Sequence, residues 1–221
     1  MAKVTLYSAR ACPYAHRTRL VLAEKKVQFE LKEVDLQNKP AWFDQSVSAY
    51  GKVPALEHEG ASIWESAVIN EYLDEVFPTP PLLPNEAGRR AVARIWIDYA
   101  NTRFTSAFGN VLRNPSDAAT KELGEVLQFI EREGLSKLAS TGPYFLGASP
   151  SLVDFAFYPW FERWPALEHY RGFALPRELP KLGRWIEAVR ELESVKAHEN
   201  NAAYYIERYA RHAAVKSQAV A

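Results

Sequence analysis

Apolar and polar residues alternate with a period of two at Val4 and Leu6, and again at Phe29 and Leu31, the spacing of half-buried strands. Between these runs, Arg17 to Lys26 carries the longer period of a helix. Strand, helix and strand in that order predict a right-handed βαβ crossover. Asn38-Lys39-Pro40-Ala41-Trp42-Phe43 reads as a turn leading into a short helix. Val53 to His58 and Ser62 to Trp64 read as two short strands of a hairpin, turned at Glu59-Gly60. Ser66 to Phe77 is helical in pattern, with Ala67, Val68, Tyr72 and Val76 roughly on one face.

The pattern changes after Pro78-Thr79-Pro80-Pro81-Leu82-Leu83-Pro84, where four prolines in seven residues can continue neither a helix nor a central strand. We place a domain boundary here: an α/β unit over 1–77, a proline-rich linker over 78–87 and an all-helical unit over 88–221. Helices are predicted over Arg89 to Val111, Asp117 to Leu138, Leu152 to Glu168, Leu179 to Glu193 and Val195 to Ala213, with a loop at Tyr144-Phe145-Leu146-Gly147. The run Leu152 to Glu168 is apolar almost all round, the mark of a buried central helix. Neither an internal repeat nor a low-complexity tract interrupts the chain.

Composition narrows the function classes. The 27 basic and 27 acidic residues among 221 cancel to a formal charge of zero, which argues against nucleic acid or an anionic membrane as the main partner. No apolar run approaches the roughly 20 residues needed to cross a bilayer, and the alternating N-terminus lacks the apolar block of a signal peptide. A soluble cytoplasmic protein is expected. One cysteine excludes an intrachain disulfide framework.

That cysteine, Cys12, lies in Ala11-Cys12-Pro13-Tyr14-Ala15-His16-Arg17. Proline is favoured at the first position of a helix, so Pro13 puts Cys12 at or just before a helix N-terminus. Free backbone N–H groups and the positive end of the helix dipole favour an anion there. A buried cysteine can equally be a small apolar core residue. In a dithiol motif the second cysteine would stand where this chain has Ala15. Any disulfide cycle must therefore borrow its second thiol, and glutathione is the abundant small cytosolic one.

Other residues carry two readings each. Val53-Pro54 either bounds an edge strand or, as a cis bond, turns the Val53 backbone towards the helix start to pair with an extended ligand. Glu65-Ser66 opens a helix and can cap it. The same pair can hold a head group with a carboxylate and an amine. Ser151-Leu152-Val153-Asp154 resembles a capping box and reads as structural. Trp160, Phe161, Trp164, Tyr205 and Tyr209 fall at helical spacing and suit either a core or a pocket. His16, His58, His169, His198 and His212 lack metal-ligand spacing, so no metal is expected. His16 is placed to tune Cys12 or to face solvent.

Taken together, the chain resembles the glutathione transferase superfamily, specifically its omega class. The resemblance rests on Cys12 to Leu22, Leu36 to Phe43, Glu65 to Ile69 with Glu71 to Asp74, and Ser151 to Asp154 with Pro159 to Arg163, in that order. It departs from the class near Asn201 and Ala202, where a tryptophan is expected. It implies a thioredoxin-like N-terminal domain, an all-α C-terminal domain and glutathione between them. It implies that Cys12 forms a mixed disulfide with glutathione and that the Val53 backbone, before a cis Pro54, pairs with its cysteinyl part. Glu65 and Ser66 would hold the γ-glutamyl end, with Lys39 near the glycine carboxylate and Leu36 lining the site. Tyr14, Trp160, Arg163, Tyr205 and Tyr209 would form a second pocket for a hydrophobic or aromatic molecule, or for a glutathionylated thiol.

The expected activity is glutathione-dependent thiol transfer or reduction: deglutathionylation, dehydroascorbate reduction or removal of glutathione from aromatic thioethers. A non-catalytic binding protein on the same fold and conventional conjugation to electrophiles are the alternatives. The resemblance also implies a homodimer.

Overall fold

The computed structural model describes residues 3–40, 42–43, 47–48, 50–139 and 142–214. Its first part runs β1 (Val4–Ser8), α1 (Pro13–Glu24), β2 (Phe29–Glu33), β3 (Ala55–His58), β4 (Ala61–Trp64) and α2 (Ser66–Val76). The strands form one sheet in the order β2-β1-β3-β4. β1 and β2 are parallel, with Leu6 opposite Leu31, and β3 runs antiparallel to β1, with Leu6 opposite Leu56. The β3–β4 hairpin turns on Glu59 and Gly60 with φ of 51° and 81°, the two left-handed residues that suit the twist of a tight hairpin. The short helix read near 38–43 falls partly outside the described residues.

The rest is helical: α3 (Ala87–Tyr99), a π-helical stretch (Ala100–Phe104), α4 (Thr105–Arg113), α5 (Asp117–Phe129), a second π-helical stretch (Ile130–Leu135), α6 (Leu152–Glu162), α7 (Trp164–Arg171), α8 (Pro180–Arg190), α9 (Glu193–Lys196) and α10 (Ala202–Ala213). This is a thioredoxin-like domain followed by a helical domain. None of the described helices is long and apolar enough to cross a membrane.

Three differences from the sequence pattern have local causes. Helix α1 begins at Pro13, where the proline places it, four residues ahead of the helical period read from Arg17. Its residues Ala15 to Leu22 are all buried, so its first turn shows no amphipathic stripe. The apolar run from Leu152 divides at Arg163, because Pro165 brings no N–H to continue the ladder. The final helix begins only at Ala202, where the Asn201 side chain accepts from the Tyr204 N–H at 2.9 Å and caps it.

Helix α1 packs against both α2 and α6, and one apolar core runs through it, from Leu6, Leu20 and Ile69 to Phe104, Phe157 and Trp160. A smaller cluster of Tyr7, Ala15, Phe43, Val53 and Ala55 has Cys12 packed against it. Inside the helical domain, Asp154 closes the capping box with Ser151 and also accepts from the Phe145 N–H at 2.8 Å and the Trp185 indole at 2.6 Å.

The proline-rich segment is held from both sides. Lys25, buried at the end of α1, reaches the Asp74 carboxylate at 2.6 Å and the carbonyls of Phe77 and Pro80 at 2.7 and 2.8 Å. Asp74 also accepts from the N–H groups of Leu82 and Leu83, and the Leu82 carbonyl accepts from Leu152 N–H. Lys25→Met leaves a nearly buried carboxylate and two carbonyls without their cation. It is expected to cost about 3 kcal/mol in urea unfolding; a loss below about 0.5 kcal/mol would show that the segment does not depend on this contact.

Candidate functional site

Cys12 occupies the N-cap of α1, with Pro13 in the first turn. Its N–H donates to the Ala9 carbonyl at 2.9 Å and its carbonyl accepts from His16 N–H at 3.0 Å. The half-buried thiol points at the Val53 carbonyl, with Sγ to O of 3.7 Å. The Val53–Pro54 bond is cis. Beside this pair lies a cavity of about 410 Å³, whose lining includes Tyr14, Val53, Pro54, Trp64, Glu65 and Ser66 as well as Ser48, Tyr50, Lys52 and Asn101.

Glu65 enters α2 with φ of 68° and ψ of 114°. A non-glycine residue held in such a conformation costs on the order of 1–3 kcal/mol, and here it sets the turn that brings Glu65 and Ser66 to the cavity. Ser66 is buried and its hydroxyl accepts from Arg17 at 3.4 Å. Arg17 is itself buried and donates to the Ala156 carbonyl at 2.9 Å and the Asn101 amide oxygen at 2.5 Å. Its guanidinium lies over the rings of Tyr14 and Trp160, 5.1 and 4.5 Å from their centres. Burial lowers its pKa to about 10, so it keeps its charge at neutral pH.

The expected site residues divide by position. Cys12, Tyr14, Val53, Pro54, Glu65 and Ser66 gather around or beside the cavity. Trp160 backs Tyr14 edge-on, with ring centres 5.0 Å apart. Leu36 is 46% exposed. Lys39 reaches the Gly51 carbonyl at 2.8 Å, near but not on the cavity wall. Arg163 and Tyr205 are 0% exposed. Arg163 lies over the Tyr205 ring at 4.5 Å, and Tyr209 stands next to Tyr205 on α10.

The sequence reading missed Lys52 and Asn101, and it missed that Arg17, although close to Cys12, is buried. An arginine at the start of an apolar helix gives no sign of burial, and Asn101 sits in a π-helical stretch that no spacing rule announces. Such stretches recur at functional sites.

His16 is fully buried, so it does not face solvent. Its Nδ1 lies 3.1 Å from the Arg163 guanidinium and its Nε2 3.8 Å from the Glu162 carboxylate. Burial first, and then Arg163, hold its pKa well below the ordinary histidine value. The neutral ring accepts through Nδ1 from Arg163.

Two family models match the chain: the glutathione S-transferase N-terminal domain over residues 2–75 and the C-terminal domain over 98–188. Glutathione S-transferase omega-1 of Sus scrofa is 35% identical over 198 residues, covering 88% of this chain and 79% of the relative. Glutathione S-transferase U19 of Arabidopsis thaliana is also 35% identical, over 82% of this chain and 83% of its own. The crystal structure of glutathione transferase Omega 2C from Trametes versicolor superposes with a TM-score of 0.83 at 28% identity, covering 96% of this chain and all of that one. A rice glutathione transferase solved in complex with glutathione superposes at 0.84 and 29% identity, over 94% of this chain and 95% of that one. The chain belongs to the glutathione S-transferase family, and its Cys12-Pro13 helix start and omega relatives place it in the omega class. It is a glutathione-dependent transferase.

His16 gives a pH test. A histidine whose pKa is lowered by folding binds its proton more readily in the unfolded chain. Stability should therefore fall as pH drops below the unfolded value of about 6.5, by up to about 1.4 kcal/mol per pH unit for this one proton. His16→Asn keeps an acceptor for Arg163 without a titrating ring and is expected to flatten the slope between pH 7 and 5. An unchanged slope in urea titrations would show that His16 is not the group responsible.

Proposed function

We propose that the protein is a monothiol enzyme of glutathione-dependent thiol transfer, with Cys12 as its catalytic residue. The observation that carries this reading is the place of the chain's one thiol. It sits at the N-terminus of α1, 3.7 Å from the Val53 carbonyl and beside a cavity of about 410 Å³, within the usual range for a small-molecule site.

In the first step the Cys12 thiolate attacks the glutathione sulfur of a mixed disulfide. A sulfur–sulfur bond forms between Cys12 and glutathione, and the substrate leaves as its thiolate. In the second step a glutathione thiolate attacks the Cys12-bound glutathione. Glutathione disulfide leaves and the Cys12 thiolate returns. The cycle needs no second protein cysteine, in keeping with Ala15 at the position of a resolving thiol.

The cavity suits an extended γ-glutamyl peptide. The Val53 backbone would pair with the cysteinyl unit. The Glu65 carboxylate would receive the γ-glutamyl amine, and Ser66 with the first turn of α2 its carboxylate. Lys39, which reaches the Gly51 carbonyl, and Lys52, the next residue along the chain from Gly51, would supply cations for the glycine carboxylate, and Leu36 would close that end. Tyr14, backed by Trp160, offers an aromatic wall to the second substrate. Such a wall fits a flat thioether as well as a glutathionylated thiol. Tyr209, next to Tyr205 on α10, would add to this pocket, while Arg163 and Tyr205, both fully buried, would not touch the second substrate.

Reduction of a small mixed disulfide by glutathione should fall at least about 100-fold in Cys12→Ala and in Cys12→Ser, with glutathione binding retained. Full turnover in Cys12→Ala would refute the mechanism, and faster turnover of an aryl halide than of the disulfide would favour conjugation. We also propose that two copies pair through apolar surface that includes Val68 and Ile95, which are 57% and 65% exposed. Sedimentation should then return twice the 25.1 kDa chain mass; a single-chain mass would count against pairing.

A further inference from the structure

We propose that Arg163 is a positioning residue for Cys12, acting with Arg19 as a clamp that grips the thiol-bearing loop from both domains. The proposal rests on the reading of Cys12 as the reacting group.

The loop between β1 and α1 is bound by guanidinium groups along its length. Arg19, from α1, donates to the Ser8 hydroxyl at 2.6 Å and to the carbonyls of Ala9 and Arg10 at 3.3 and 3.1 Å. Arg163, from the break between α6 and α7, donates to the Ala11 carbonyl at 3.2 Å. Three consecutive carbonyls thus accept from buried cations. The peptide unit that enters Cys12 is held at both ends, its oxygen by Arg163 and its N–H by the Ala9 carbonyl at 2.9 Å. Fixing that plane fixes the frame from which the thiol projects, and with it the 3.7 Å approach of Sγ to Val53.

The form of Arg163 fits this task better than any simple packing role. Its other terminal nitrogen donates to the Pro159 carbonyl at 2.6 Å and meets His16 Nδ1 at 3.1 Å. One face of the guanidinium lies 4.5 Å from the centre of the Tyr205 ring. Only a planar fork reaches three acceptors in these directions while stacking on an aromatic face. A fully buried cation is costly to keep, and Arg163 is held by two carbonyls, an imidazole and Tyr209, with the Glu162 carboxylate close enough to feel its charge. Tyr205 is anchored in turn, with its hydroxyl bonded to Glu162 and to the Asn200 amide. Helix α10 is thus the back wall of the clamp.

The test is the rate constant for alkylation of Cys12 by iodoacetamide, read beside thiol-transfer kinetics. Arg163→Met is expected to slow alkylation and to lower kcat by roughly 10- to 100-fold while KM for glutathione changes little. Arg163→Lys, which keeps the charge but loses the fork, should recover only part of the loss. Arg171→Met is the matched control. Arg171 also ties backbone carbonyls, those of Leu112 and Ala213, but away from the thiol, so its loss should lower Tm and leave alkylation unchanged.

A folded Arg163→Met protein alkylating at the wild-type rate would overturn the proposal. So would an equal slowing in Arg171→Met, the mark of a merely structural effect. Should Arg163→Met fail to fold, Arg19→Lys takes its place, with slowing expected and a wild-type rate overturning. Alkylation does not require turnover. A wild type that fails to reduce mixed disulfides would sink the thiol-transfer reading, while the alkylation rates still decide the clamp.

Discussion

The structure near the thiol depends on one constraint. Helix α1 is buried on every side from Ala15 to Leu22, although that stretch carries His16, Arg17 and Arg19. A buried polar group left without a partner costs about 1–3 kcal/mol, and more if charged. These side chains must therefore find partners wherever they reach. Arg17 reaches Ala156 on α6 and Asn101 between α3 and α4. His16 meets Arg163, and Arg19 turns back to the loop before Cys12. Farther along, Glu24 accepts from Ser194 on α9, and Lys25 binds Asp74 and the proline-rich segment. The two domains are joined through the polar groups of this one helix as well as through apolar packing.

The same constraint places the site. Because α1 is gripped by both domains, its N-terminus is a fixed point, and Cys12 caps it with the Val53 carbonyl opposite. Ser66 is tied to that point through Arg17. The groups proposed to bind glutathione and the group proposed to react with it thus share a buried cation. Arg163 closes the arrangement from the helical domain. A change in the packing of α6 or α10 would be felt at the thiol before it was felt at the sheet.

Local chemistry was legible in the sequence. Pro13 marked the start of α1, Glu59-Gly60 marked a hairpin, and Ser151 with Asp154 marked a cap, because each is decided within a few residues. The gathering of Cys12, Val53, Glu65 and Ser66 followed from resemblance, since no local rule brings a loop, a strand edge and a helix start together. Burial of charge was not legible. Arg17 and Arg163 carry residue types that usually lie outside, and only the tertiary structure shows which carbonyls receive them. Aromatic spacing likewise left Tyr205 open between core and pocket. Its bond to Glu162 and its stack on Arg163 set it in the interior.

The most direct test of the account is the mass of the intact protein after brief exposure to glutathione disulfide, folded and in urea. A pre-formed site predicts that the folded chain gains one glutathionyl group on its only cysteine, faster than the unfolded chain does. It also predicts that excess glutathione removes the group. Slower labelling of the folded chain than of the unfolded one, or an adduct that glutathione does not release, would contradict a catalytic thiol at Cys12.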